Sequence, residues 1–101
     1  MTAALTSAQN RFLRGQAHDL KVLLQTGEKG VTSGFLSELN DALERHELVK
    51  VKVINEDREI RDMLIAKLAA QSDSVLVQRI GHVAILYRCS KEKRQIVLPS
   101  P

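Results

Sequence analysis

Between Leu48 and Ile54 the chain alternates, with Val49, Val51 and Val53 falling to one side and Lys50 and Lys52 to the other. A period of two is that of a β-strand, here with one apolar face and one wet, basic face. On both flanks the period changes. From Gly34 to His46 the apolar residues Phe35, Leu36, Leu39, Ala42 and Leu43 recur at helical spacing, with Glu38, Asp41 and Glu44 on the water side. After Asn55-Glu56-Asp57, which supplies a cap and acids suited to the positive end of a helix dipole, Ile60, Met63, Leu64 and Leu68 form a second such stripe. A strand caught between two amphipathic helices restricts the chain to an α/β architecture, because each stripe needs a sheet to bury it.

The remaining elements follow from the same signals. Thr6 or Ser7 can cap a first helix running to about Ala17, with Leu5, Phe12, Leu13 and Ala17 buried and Arg11, Arg14 and His18 sharing one face. Gly15 weakens that helix by roughly 1 kcal/mol relative to alanine, which implies close packing there or an early end. Lys21–Gln25 reads as a short buried strand, and Val75–Ile80 and Val83–Arg88 as a hairpin across Gly81-His82, where glycine in the first central position suits a type II′ turn. Ile96-Val97-Leu98 either adds a last strand or packs on the core. The expected fold is a single α/β domain over residues 1–101, two-layered, with helices on a four-stranded mixed sheet and a basic C-terminal tail over 91–101.

Gly27-Glu28-Lys29-Gly30 lies between the first strand and the second helix. Two glycines three apart let the backbone turn sharply and approach a ligand closely. Thr32 or Ser33 can cap the helix that follows, whose unpaired first-turn N–H groups favour an anion. The stretch therefore reads either as a phosphate-facing loop or as an ordinary strand-to-helix turn.

Charge is uneven along the chain. Residues 1–27 carry three basic and one acidic side chain, residues 28–73 seven and ten, and residues 74–101 five and one. Basic ends around an acidic middle suit either a polyanion binder, if folding brings the ends and the loop together, or a solvated surface with unevenly placed lysines. The candidate cations are Arg11, Arg14 and His18; Lys29; Lys50 and Lys52; and Arg88, Lys91, Lys93 and Arg94. The acidic flank of the second helix would repel a phosphate backbone, so a nucleic acid, if bound, must meet that helix at its N-terminus and not along its side. Aromatic residues number three, Phe12, Phe35 and Tyr87, and both phenylalanines fall at core positions. Modules that stack bases on exposed aromatics are thereby disfavoured.

Chemistry has little footing. His18, His46 and His82 lie on separate elements, and the one cysteine, Cys89, has neither a disulfide partner nor a CxxC neighbour. No catalytic residue, metal or cofactor is expected. No apolar run approaches the length of a membrane span, and the start of the chain lacks a signal-peptide pattern, so a cytoplasmic protein away from membranes is expected, and a monomer is the expected state.

Leu13-Arg14-Gly15-Gln16-Ala17-His18-Asp19-Leu20-Lys21, then Gly27-Glu28-Lys29-Gly30-Val31-Thr32, resembles the opening signature of the CRM domain, in particular its stand-alone bacterial YhbY form. The likeness continues through His46–Lys52 and ends at Ile80-Gly81 and Leu86-Tyr87-Arg88. The resemblance implies a fold similar to the C-terminal domain of translation initiation factor three. It also implies an RNA-binding protein that associates with precursors of the large ribosomal subunit. Carried over by position, the RNA-contacting loop falls on Gly27, Glu28, Lys29 and Gly30, and the basic first-helix surface on Arg11, Arg14 and His18. Large-subunit ribosomal RNA is then the expected partner. The alternative is a protein-interaction module that joins ribosomal particles without touching RNA.

Overall fold

A computed structural model of the chain describes residues 5–27, 30–92 and 94–99. Seven elements run α1 (Ser7–Ala17), β1 (Val22–Gln25), α2 (Ser33–His46), β2 (Leu48–Lys52), α3 (Arg58–Gln71), β3 (Val75–Ile80) and β4 (Val83–Tyr87). The strands form one mixed sheet in the order β1-β2-β4-β3. β1 lies parallel to β2, joined through α2, and β4 runs antiparallel to both β2 and β3. A parallel pair needs such a crossover, whereas Gly81-His82 is enough to join β3 to β4. Gly81 has φ +59° and His82 does not share the left-handed region, the pattern of the expected type II′ turn.

Local chemistry fixes the helix starts. Thr6 caps α1 through a reciprocal box with Gln9, each backbone N–H donating to the other's side chain. The Thr32 hydroxyl accepts Phe35 N–H at 3.1 Å to start α2, and the Asp57 carboxylate accepts Glu59 and Ile60 N–H groups to start α3.

The three helices divide between the two faces of the sheet. α2 and α3 cover the face made by Val49, Val51, Val53, Ala84 and Leu86, burying Phe35, Leu39, Leu43, Ile65 and Leu68 against it. α1 covers part of the other face, where Leu13 and Ala17 meet Leu48, Val77, Ile85 and Tyr87. Each fully buried Leu, Ile or Val contributes about 1.5–3 kcal/mol of transfer free energy. The C-terminal segment forms no strand. It packs Ile96 and Leu98 against the α1-side core, and Pro99 accepts a hydrogen bond from the Gln9 amide.

Four expectations change. Helices on both faces make three layers and not two. β1 is an edge strand and not a buried one, with Val22 and Leu23 41% and 50% exposed. The buried stripe of α3 is Arg61, Ile65 and Leu68, while Ile60 and Met63 face outward, Met63 with 70% of its surface exposed. The cause is Arg61, whose guanidinium Nη1 donates to Asn55 O at 2.9 Å and lies 3.0 Å from His82 Nε2, tying α3 to the hairpin. At Gly15 neither close packing nor an early end holds, because a Cβ there would meet nothing within 4 Å and α1 continues to Ala17.

Candidate nucleic-acid interface

The glycine loop is a closed turn. Thr26, 1% exposed, donates its N–H to Lys52 O at 3.0 Å and accepts Ile54 N–H on its hydroxyl at 2.9 Å. These bonds pin the end of β1 to β2. The chain then turns, and Gly30 N–H donates to Gly27 O at 3.0 Å. Gly30 has φ +68°, a region that L side chains rarely occupy, so glycine is required there by backbone geometry. Two residues later Thr32 caps α2, so the turn opens beside that helix's positive end. Glu28, Lys29 and Lys93, three of the candidate site residues, lie outside the described residues.

Lys50 and Lys52 project from β2 on the face that α1 partly covers, opposite Val49, Val51 and Val53. Both are half-buried, and no described residue forms an ion pair with either. Lys52 is paired with Gln25, which places it two residues from Gly27 across the parallel ladder. Arg11, Arg14 and His18 are exposed on α1, on the same side of the sheet as these lysines. Gly27 thus lies just past Lys52 at the end of the β1–β2 ladder, whereas Lys50 is paired with Val22, further from the turn, and α2, which Thr32 caps, covers the sheet face opposite to Lys50, Lys52 and α1.

The C-terminal cations are placed elsewhere. Arg88 is clamped into the fold, with Nη1 donating to Asn40 Oδ1 at 2.7 Å and Ser72 O at 2.8 Å, Nη2 donating to Asn40 O at 3.1 Å, and Glu44 at 3.6 Å. Lys91 and Arg94 are exposed, but their segment is strapped to the C-terminal end of α2. Fourteen residues of helix separate that end from Thr32, a span of about 20 Å at 1.5 Å per residue. The two basic ends of the chain do not close around the loop.

Two carboxylates make the strap, and the sequence pattern gave neither this role. Glu44, expected on a water-facing acidic side, accepts the Ser90 hydroxyl and Lys91 N–H, both at 2.7 Å. Its pKa is lowered, first by the Ser90 hydrogen bond and then by Lys91 N–H. Glu47 is fully buried at the end of α2 with φ +63°. Burial alone would raise its pKa, but N–H groups of Ser90, Ile96 and Gln95 outweigh that and hold the carboxyl below 4.5. Tyr87 sits in the same cluster, its phenol pushed up to about 12 by burial and the nearby Cys89 and Glu47.

A cleft of about 410 Å³ lies between the C-terminal end of α1, the start of β1 and β2, and the segment at Gln95 and Ile96. A second of about 270 Å³ lies across β1, against α2.

Known proteins with this pattern share a function in their names. Over 95 residues the chain is 42% identical to a protein of Haemophilus influenzae named RNA-binding protein, with 94% of this chain and 95% of that one aligned. It is also 42% identical to the probable RNA-binding protein YqeI of Bacillus subtilis, over 94% of this chain and 99% of the relative. The solution structure of the hypothetical protein SAV1595 from Staphylococcus aureus superposes with a TM-score of 0.81 at 36% identity, covering 95% of this chain and all of that one. With residues 5–88 matching the sequence profile of the CRS1 / YhbY (CRM) domain, the chain belongs to that family.

Proposed function

We propose that the protein is an RNA-binding protein that grips the sugar-phosphate backbone of structured ribosomal RNA and assists assembly of the large ribosomal subunit, acting as a monomer without chemistry of its own. The observation that carries this reading is the Gly27–Gly30 turn, hydrogen-bonded shut, near the capped start of α2 and just past Lys52 on the ladder, a lysine with no ion-pair partner among the described residues. Backbone N–H groups, a helix dipole and a lysine are the devices that position phosphate, and none of them reads a base. Membership in the CRM family and the names of the relatives support RNA as the partner. Lys29 joins this footprint from its sequence position, with Lys50, Arg11, Arg14 and His18 extending it. Arg88 belongs to the fold and not to the footprint, since protein atoms occupy both of its terminal nitrogens.

Crosslinking in the cell followed by sequencing of the bound RNA tests the class and the target together. Enrichment of large-subunit ribosomal RNA, lost on Gly30→Asp or on joint replacement of Lys50 and Lys52 by alanine, is the expected result. Association with ribosomal particles that survives nuclease and these substitutions would instead identify a protein-interaction module.

A further inference from the structure

The two clefts that flank β1 share Leu23 and His46 but differ in charge. The one against α2 carries Glu38 and Asp41 beside Arg45. The one against α1 carries Lys21 and Lys50 and no acidic residue. Neither lysine has an ion-pair partner among the described residues. Its apolar wall includes Leu20, just before β1, and Leu23, on that edge strand, which leave 40% and 50% of their surface exposed. Large apolar side chains left open at a concave surface with convergent polar groups mark a ligand site.

The polar groups here suit one kind of ligand. Gln16, on the last turn of α1, has no partner among the described residues, so its amide offers both a donor and an acceptor. Gln95 spends its amide N–H on Arg45 O, which orients the side chain and leaves Oε1 as an acceptor. Amide groups over an apolar wall match the edge and face of an unstacked base, and lysines at the rim match its phosphate. We infer that this cleft holds a single nucleotide displaced from an RNA helix, with Lys50 at the cleft and Lys52 further along the same face of β2 toward the glycine turn. About 410 Å³ lies toward the small end of ligand pockets, which run from about 300 to 1,000 Å³, and so fits one nucleotide and not a duplex. The cleft adds a preference for irregular RNA to a loop that grips only backbone, and it rests on the RNA-binding function proposed above.

The test uses the full chain and five RNA hairpins of one stem, fully paired or carrying one unpaired A, C, G or U, with 2-aminopurine replacing the adenine in a fluorescent version. At least one bulged hairpin should bind about tenfold more tightly than the paired stem, the equivalent of ~1.4 kcal/mol, and 2-aminopurine emission should change on binding. Gln16→Glu, an acid placed at the cleft on an exposed helical position, should reduce the bulged-to-paired ratio by at least about fivefold. Equal affinity for all five hairpins overturns the cleft while leaving RNA binding by the loop in place. A preference that survives Gln16→Glu also overturns it, and would leave the cleft to a protein segment pairing on β1. No binding to any hairpin removes both the cleft site and the proposed function.

Discussion

Glu47 Oε2 accepts the backbone N–H of Ser90 at 2.8 Å, forty-three residues further along the chain, and Oε1 accepts Ile96 N–H at 2.8 Å as well. One buried carboxylate thus fixes the C-terminal segment at two points, with Gln95 N–H as a third donor. Its folded pKa lies below its unfolded value near 4.5. The stabilisation it provides is therefore fully present above about pH 4.5 and lost as pH falls through the lower, folded value. Glu44, also lowered, acts in the same direction. Glu47→Gln replaces one acceptor oxygen by an NH2 facing backbone donors, which should cost about 2 kcal/mol at neutral pH. Denaturant titrations from pH 7 down to pH 3 should show the gap between wild type and variant closing as acidity rises. A constant gap across that range would mean that the carboxylate charge does not hold the strap.

Gly15 is exposed, its φ is outside the left-handed region, and a Cβ there meets open space. Gly15→Ala should therefore stabilise α1 by about 0.5–1 kcal/mol, through a smaller loss of backbone entropy on folding. For a domain of this size the midpoint of thermal unfolding should rise by roughly 2–8 °C. A fall in that midpoint would reveal packing at this position that the open space does not suggest.

The phase of α3 makes a paired prediction. Ile65 is 1% exposed and Met63 is 70% exposed, two positions apart on one helix. Ile65→Ala should cost about 2–5 kcal/mol, whereas Met63→Gln should stay within about 0.5 kcal/mol of wild type. Chemical denaturation of both variants distinguishes this phase from the one that apolar spacing suggests, which would reverse the order.

Much of the sheet was legible because its signals are local. Val49, Val51 and Val53 alternate with Lys50 and Lys52 in the sequence as they do across β2, and Gly81 marks the hairpin by the conformation only glycine adopts readily. The Thr32 cap of α2 was legible for the same reason, whereas the Thr26 anchor of the turn was not, since it depends on Lys52 and Ile54. What stayed hidden rests on pairs distant in sequence. Arg61 occupies a core position because Asn55 O and His82 receive its guanidinium, and hydrophobic periodicity has no means of registering a buried arginine. Glu44 reads as a surface acid, and nothing local marks Glu47 as buried, because their partners lie in the Ser90–Ile96 stretch more than forty residues away. Arg88 read as a free cation for want of Asn40 and Ser72, 48 and 16 residues away.

That placement of Arg88 separates stability from binding. Lysine cannot reproduce a planar fork that reaches two carbonyls, an amide oxygen and a carboxylate at once. Arg88→Lys should cost about 1–3 kcal/mol of stability by leaving Asn40 and Ser72 acceptors unsatisfied. The salt dependence of RNA binding, measured on the folded fraction, should not change. A salt slope that falls in Arg88→Lys would return this residue to the interface.

Lys52 should behave in the opposite way. Its ammonium has no described protein partner, so Lys52→Ala leaves nothing buried and unpaired, and stability should shift by no more than about 0.5 kcal/mol. If Lys52 neutralises one phosphate beside the Gly27–Gly30 turn, its loss removes one counterion-release contribution. The slope of log K against log salt should then become shallower by about 0.7 on single-stranded RNA. Lys50→Ala should do the same, and the double variant should lose about twice as much if the two side chains contact different phosphates. Fluorescence anisotropy with a labelled ribosomal RNA fragment at four salt concentrations measures this directly. An unchanged slope in the double variant would move the phosphate contacts off this face of the sheet and leave the glycine turn without its flanking cations.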